Sequence, residues 1–143
     1  MSTGMNMDEL LRDMLKNGFR VTAQRKAMLQ LVLQYSHSFA AIELYHEMEK
    51  HFRGLSYGTV YLNLKMFIKM RIVETFAVNN EVRYRLVERR QPKLHLICME
   101  CNDTILVDIH PAQLEMLPDR RFTTVDYKLD VFGYCPDCSH TEG

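Results

Sequence analysis

Arg53-Gly54-Leu55-Ser56-Tyr57-Gly58-Thr59-Val60-Tyr61-Leu62-Asn63-Leu64-Lys65-Met66-Phe67-Ile68-Lys69-Met70 runs directly into Arg71-Ile72-Val73-Glu74-Thr75-Phe76-Ala77-Val78-Asn79-Asn80-Glu81-Val82-Arg83-Tyr84-Arg85-Leu86-Val87. The change of period between the two stretches decides the fold. In the first, Val60, Leu64, Phe67 and Ile68 cluster at 100° per residue, which predicts a helix with those four as its buried face. Ser56, after a short turn, is placed to cap that helix, which runs to about Met70. In the second, period-two alternation through Ile72–Phe76 and Val82–Val87 flanks Asn79-Asn80, which predicts a hairpin.

Three helices are predicted upstream. Leu10, Leu11, Met14 and Leu15 line one side of a short helix stopped by Gly18. Thr22 caps a second, in which Met28, Leu31, Val32 and Tyr35 fall at helical spacing. A third extends from about Ser38 to Phe52 with Ala41, Leu44, Tyr45 and Met48 as its inner stripe. Helices followed by a hairpin predict a winged helix over residues 1–87. Tyr61, Lys65 and Lys69, four residues apart, form a second face of the fourth helix that carries no acid. A helix presented after a short turn with exposed Tyr and Lys suits the major groove of DNA, where it must approach phosphates and offer side chains to base edges. Gly58 weakens this helix, and its place there fits close approach of the backbone to DNA as well as neutral drift. Arg83 and Arg85 share one strand face and are candidates for phosphate contact.

Charge points the same way. The chain of 143 residues is formally neutral. Cut after Val87, however, the first part holds twelve Lys plus Arg against eight Asp plus Glu, net +4, and the remainder six against ten, net −4. Nine of those twelve basic residues lie in two acid-free runs, Met14–Ile42 and Lys50–Val73. One such run is usually a solvated face, but two in one small region favour a polyanion such as DNA. The composition, 47% hydrophobic and 25% charged, excludes disordered and fibrous classes. The longest uncharged stretch, Ala27–Ile42, is interrupted by Gln30, Gln34, Ser36, His37 and Ser38, so no membrane span is expected. Asp8 and Glu9 stand where a signal peptide needs a basic start, so a cytoplasmic location is expected, with disulfides absent.

Residues 88–93, with Pro92, read as a hinge. Beyond it the pattern predicts strands at Leu94–Cys98 and Thr104–Val107, a short helix at Pro111–Leu117 and a long strand at Phe122–Phe132. The 56 residues from Glu88 onward are few for an unaided core, so a metal or partner chain is expected to supplement it. All four cysteines of the chain occur as Cys98-Met99-Glu100-Cys101 and Cys135-Pro136-Asp137-Cys138. Two residues between thiolates let both face one ion, and two such pairs complete a closed tetrahedral sulfur site. Four soft thiolates favour a structural zinc, with an iron–sulfur cluster as the alternative. A thioredoxin-like redox pair is disfavoured by the matching partner pair. A zinc deaminase is excluded, because His95-Leu96-Ile97 lacks the required Glu.

Several segments resemble the ferric uptake regulator (Fur) family of metal-dependent bacterial repressors. They are Gly18-Phe19-Arg20-Val21-Thr22-Ala23-Gln24-Arg25, Ala41-Ile42-Glu43-Leu44-Tyr45, Ser56-Tyr57-Gly58-Thr59-Val60-Tyr61, His95-Leu96-Ile97-Cys98-Met99-Glu100-Cys101 and Gly133-Tyr134-Cys135-Pro136-Asp137-Cys138. The resemblance implies an α+β protein, with an N-terminal winged helix-turn-helix domain and a small C-terminal α/β dimerisation domain, residues 94–143, holding a structural zinc on Cys98, Cys101, Cys135 and Cys138. It implies a homodimer that grips a palindromic, AT-rich operator in double-stranded DNA. Tyr61 would read bases, with Arg25, Arg20, Tyr57, Thr59, Lys65 and Lys69 as the other DNA-binding residues.

The departures concern a second, regulatory metal site that members build from histidine and carboxylate. The histidine-rich run before the first cysteine pair here reads Gln91-Pro92-Lys93-Leu94-His95, keeping only His95. The wing carboxylate position holds Arg85, the carboxylate position after Cys101 falls on Leu106, and the late histidine position falls on Tyr127. His37 sits one residue before the family ligand position, where Ser38 stands. Three nitrogen or oxygen ligands are the usual minimum for iron, manganese or zinc. Asp108 and His110, with His95 and Glu81 or Glu88, are candidates for a rearranged site, and His37 is a further one. His46, His51 and His140 read as solvated residues. The expected function is a dimeric DNA-binding transcription repressor with a degraded metal switch. The alternatives are a metal- or peroxide-responsive regulator using a rearranged site, and a zinc-buffering protein with vestigial DNA binding. No nucleophile–base pair or open metal position suggests an enzyme.

Overall fold

A computed structural model describes residues 4–89, 93–115, 119, 121–123 and 127–139. The chain divides into two compact units, Met1–Val87 and Glu88–Gly143.

The first unit begins with α1 (Met7–Lys16), capped by the Asn6 side chain. It ends as the glycine predicts: Gly18 has φ +81°, and the N–H groups of Gly18 and Phe19 donate to the carbonyls of Leu15 and Met14, closing the last turn. Leu10 and Met14 are buried, whereas Leu15 faces outward. In α2 (Ala23–Gln34) the Thr22 hydroxyl accepts from the Arg25 N–H at 3.1 Å. Met28 and Val32 are buried as expected, together with Leu29, which the spacing argument missed.

The third helix, α3 (Ala41–His51), starts three residues later than expected. Phe39 and Tyr84 exchange both backbone hydrogen bonds, at 2.8 and 2.9 Å, so Ser38–Ala40 lie extended against the wing. The long-range pairing wins over helical propensity there.

Next comes α4 (Tyr57–Lys69), capped by the Ser56 hydroxyl. The wing is β1 (Val73–Val78) paired antiparallel with β2 (Glu81–Leu86). Its two-residue turn has φ 52° at Asn79 and 62° at Asn80, the doubly left-handed turn that matches strand twist and that Asn tolerates. The core gathers all of these elements: Met28, Leu44, Met48, Val60, Leu64 and Phe67 are fully enclosed.

The second unit is a three-stranded sheet of order β4-β3-β5. Here β3 (Lys93–Cys98) pairs antiparallel with β4 (Thr104–Asp108) and parallel with β5 (Leu129–Gly133). The predicted long strand is shorter than expected: Phe122, Thr123, Tyr127 and Lys128 are not strand, and 124–126 lie outside the described residues. So do 90–92 of the hinge, 116–118 after α5 (Pro111–Glu115), and His140. Among the described residues of this unit only Ile97, Cys98 and Leu114 are buried, while Ile105, Leu106, Val107, Val131 and Phe132 stand 38–49% exposed.

Candidate nucleic-acid interface and metal centre

At 100° per residue the outer arc of α4 carries Tyr57, Gly58, Tyr61, Leu62, Lys65, Ile68 and Lys69, all exposed. Ile68 was expected inside; it lies 40° beyond Leu64, which is enough to turn it 37% outward. Asn63 and Met66 take up buried positions instead. The arc holds no acid. Tyr61 is 42% exposed, and the Lys65 ammonium sits over its ring, 5.0 Å from the centroid, a cation–π contact that holds both side chains at one patch. Tyr57 is exposed beside Tyr45, with ring centroids 5.7 Å apart. Beneath them the Tyr84 hydroxyl is pushed above its ordinary value, first by burial and then by the phenols of Tyr61 and Tyr57.

The other expected DNA residues stand differently. Arg20 is exposed. Arg25 is half-buried: its Nε donates to Asn63 Oδ1 at 3.0 Å and its Nη1 to the Arg20 carbonyl at 2.8 Å, so it ties the start of α2 to the middle of α4. The Thr59 hydroxyl lies 2.8 Å from Ser56 Oγ and completes the helix cap. Arg83 and Arg85, read from the sequence as phosphate contacts, are only 8% and 6% exposed. Arg83 donates to the Ser38 hydroxyl and carbonyl, both at 2.9 Å, with Glu81 and Glu43 at 3.3 and 3.4 Å. Arg85 pairs with Glu74 and lies over the Phe76 ring. Alternation placed both arginines on one face but could not reveal that Ser38 and Glu43 meet Arg83 there or that Glu74 pairs with Arg85.

In the second unit, the parallel pairing of β3 with β5 sets Cys98 opposite Gly133, which carries the chain on to Cys135 beside the first cysteine pair. The Cys98 carbonyl accepts from the Asn102 N–H, with Asn102 in the left-handed region at φ 67°. The Cys135 carbonyl likewise accepts from Cys138 and Ser139. These two tight turns bring all four sulfurs within 4.8 Å of one another, with Cys101 Sγ to Cys135 Sγ at 3.8 Å. A tetrahedral ion with bonds of about 2.3 Å to sulfur has an edge of about 3.8 Å, whereas a disulfide needs about 2.05 Å. The donor set therefore fits one tetrahedral metal. Backbone N–H groups of Cys101 and Cys135 lower the Cys98 thiol to about 6. The Asp103 N–H favours the Cys101 thiolate, but burial and the neighbouring thiols outweigh it and raise that thiol. The Cys135 sulfur and then burial raise Cys138. Four thiolates at one point repel, and a cation removes the conflict.

The candidate second-site residues have these neighbours within their own units. His95 Nδ1 is 3.5 Å from Asp130 Oδ1 and 3.4 Å from the Leu129 carbonyl. Asp108 pairs with Lys93. His110 Nδ1 accepts from the Ala112 N–H at 3.1 Å. His37, exposed in the first unit, has Nδ1 2.7 Å from the Ser38 carbonyl. Among the described residues the only group of three or more His, Cys, Asp and Glu able to share an ion is the four cysteines.

A winged helix with an acid-free Tyr/Lys face, joined in one chain to a unit that gathers four thiols, is the architecture of a metal-linked transcription regulator. The ferric uptake regulator family matches residues 16–132. A ferric uptake regulation protein of Staphylococcus epidermidis is 30% identical over 136 residues, spanning 94% of this chain and 97% of its own. The solved Helicobacter pylori ferric uptake regulator superposes with a TM-score of 0.79 at 18% identity, covering 100% of both chains. A zinc uptake regulator solved with zinc and DNA gives 0.68 at 18% identity, covering 96% of this chain and 95% of its own. The chain belongs to the ferric uptake regulator family, whose members are transcription regulators and not enzymes.

Proposed function

We propose that this protein is a homodimeric, cytoplasmic DNA-binding repressor with one structural zinc per chain on Cys98, Cys101, Cys135 and Cys138, recognising a palindromic, AT-rich operator without a second regulatory cation. The observation that carries the reading is the exposed arc of α4. Its two lysines and Tyr61 meet solvent on one side of a capped helix, with no carboxylate to repel phosphate. Lys65 and Lys69 contribute phosphate contacts, Tyr61 and Tyr57 reach base edges, and Arg20 with the outer edge of Arg25 anchors the flanking backbone. The zinc uptake regulator of the same fold was solved with both zinc and DNA, which supports both partners here.

Zinc would tie the two cysteine turns of the small unit together. That contribution, about 10–16 kcal/mol in small zinc domains, supplements a unit in which Ile97 and Leu114 are the enclosed aliphatic side chains among the described residues. The exposed apolar residues of β4 and β5 supply the surface for a second copy. The Helicobacter pylori relative has three functional metal-binding sites. At positions where the family resemblance implies ligands this chain carries Arg85, paired with Glu74, and Lys93, paired with Asp108, and neither can bind a cation, which supports the reading of a degraded second site. The proposed division is DNA binding in 1–87, a hinge that ends before β3 begins at Lys93 rather than including residue 93 as the sequence suggested, and dimerisation in the remainder. Elemental analysis together with selection of duplexes from a random-sequence pool tests the reading. One zinc per chain and enrichment of a palindrome support it, whereas a metal-free folded dimer or no enrichment refutes it.

A further inference from the structure

Among the large apolar side chains of α4, Leu62 is the most exposed, at 66%. It lies on the same arc as Tyr61 and Lys65, where a solvated helix face would carry a polar residue. Side chains on a helix lean toward its N-terminus and lie over the preceding turn, and the residue one turn before Leu62 is Gly58. A Cβ built on Gly58 would meet only Ser56 Oγ, at 3.9 Å. Neither packing nor a left-handed backbone therefore demands glycine there, although alanine is the better helix former. Gly58 and Leu62 together form a shallow apolar notch on the outer face: bare backbone on one side, an isobutyl group on the other. Lys65 and Lys69 flank it with positive charge, and the arc has no acid.

The occupant that fits is set by this combination. Positive flanks select a polyanion, and an apolar notch within them needs an apolar group carried by that polyanion. In the major groove of B-DNA the base edges present nitrogen and oxygen donors and acceptors, and one apolar group, the C5-methyl of thymine. We propose that Leu62, with the space opened by Gly58, contacts a thymine methyl and is a specificity-determining residue for the operator. The inference rests on the DNA-binding reading above and adds to it the base that this side chain selects. Tyr61 then shares base reading with a neighbour whose preference is for A·T pairs in one orientation. A polar or charged residue at 62 would not make that distinction.

The test uses the full chain in its metal-loaded form and a duplex that this protein enriches from a random-sequence pool. Each thymine is replaced in turn by deoxyuridine, which differs only by the methyl group. Wild type should lose roughly threefold to fivefold in affinity at one or more thymines, the effect of one buried methyl. Leu62→Ala should bind the thymine and uracil duplexes equally at that position, about as weakly as wild type binds the uracil form. Because Leu62 is exposed, its removal leaves the core intact, and an unchanged melting temperature checks this. Lys65→Ala should weaken both duplexes while keeping their ratio. Wild type indifferent to uracil at every position, or a uracil penalty that persists in Leu62→Ala, overturns the inference and leaves DNA binding standing. If no duplex is enriched over the starting pool, the DNA-binding reading falls and this inference with it.

Discussion

Arg83→Ala separates a structural arginine from a DNA-contacting one. Wild-type Arg83 spends its Nε and Nη2 on the hydroxyl and carbonyl of Ser38, both at 2.9 Å, and Ser38 is 4% exposed. Deleting the guanidinium leaves the buried Ser38 hydroxyl without its donor, at about 1–3 kcal/mol, whereas the Ser38 carbonyl keeps His37 Nδ1 at 2.7 Å. Glu43 and Glu81, with side chains 44% and 51% exposed, rehydrate and add little. Water entering the vacated space, and relief of a buried charge, offset part of the cost. The net expectation is a loss of about 1–2 kcal/mol, a fall in melting temperature of roughly 4–16 °C for a unit this size. Calorimetry of the full protein reads this directly. The salt dependence of DNA affinity, measured below the lowered melting temperature, should keep its slope, because no phosphate contact has been removed. A melting temperature unchanged by the mutation, with a slope flattened by about 0.9, the value of one lost phosphate contact, would refute the burial argument and restore Arg83 to the DNA surface.

The opposite pattern is expected on α4. Lys65→Ala should leave stability within about 0.5 kcal/mol, weaken binding to all sequences and flatten the salt slope, whereas Tyr61→Ala should lose about 1–3 kcal/mol mainly at the preferred site. Equal losses on selected and random duplexes for both variants would contradict that division. Cys138→Ser should release the metal, unfold the small unit and abolish dimers, read by elemental analysis and sedimentation; a folded, metal-free dimer would count against the thiolate site. Metal uptake should also release protons. With Cys101 and Cys138 held above the usual thiol value, they remain protonated at neutral pH and must lose a proton to the metal, so roughly two or more protons should appear per zinc at pH 7.5. Cys98, lowered to about 6, is already a thiolate there and protonates only in more acid solution, so affinity should fall with pH and more steeply below about 6. Calorimetry in buffers of different ionisation enthalpy counts those protons.

The parts of this architecture written in local chemistry could be read directly. Thr22 and Ser56 cap their helices, Gly18 and Asn79-Asn80 turn where left-handed backbone is needed, and the cysteine spacing marked the sulfur cluster. What escaped was set by distant residues. The pairing of Phe39 with Tyr84, 45 positions away, shortened α3 and enclosed Arg83, since strand alternation reports a face but not what covers it. Ile68 turned outward because a helix face has edges, and apolar character alone does not say which side of the edge a residue takes. His95 carries no local sign that Asp130 would sit beside it in a parallel strand. Resemblance marked Arg25 as a candidate DNA residue, but its bond to the buried Asn63 depended on how α2 crosses α4.

The most direct test of the central claim, a zinc-stabilised DNA-binding regulator without its second switch, is a fluorescence-anisotropy titration. Protein with one zinc per chain is titrated onto its selected duplex with and without ferrous or manganous ion. A cation shifts the DNA-competent state only by its difference in affinity between states, and Arg85 and Lys93, at positions where the family resemblance implies ligands, can supply none. Tight, sequence-selective binding in the absence of either cation, changed less than about threefold by their addition, is the predicted result, well below typical allosteric coupling. A rise of tenfold or more on adding either ion would contradict the account and direct mutation first to His95, His37, Asp108 and His110.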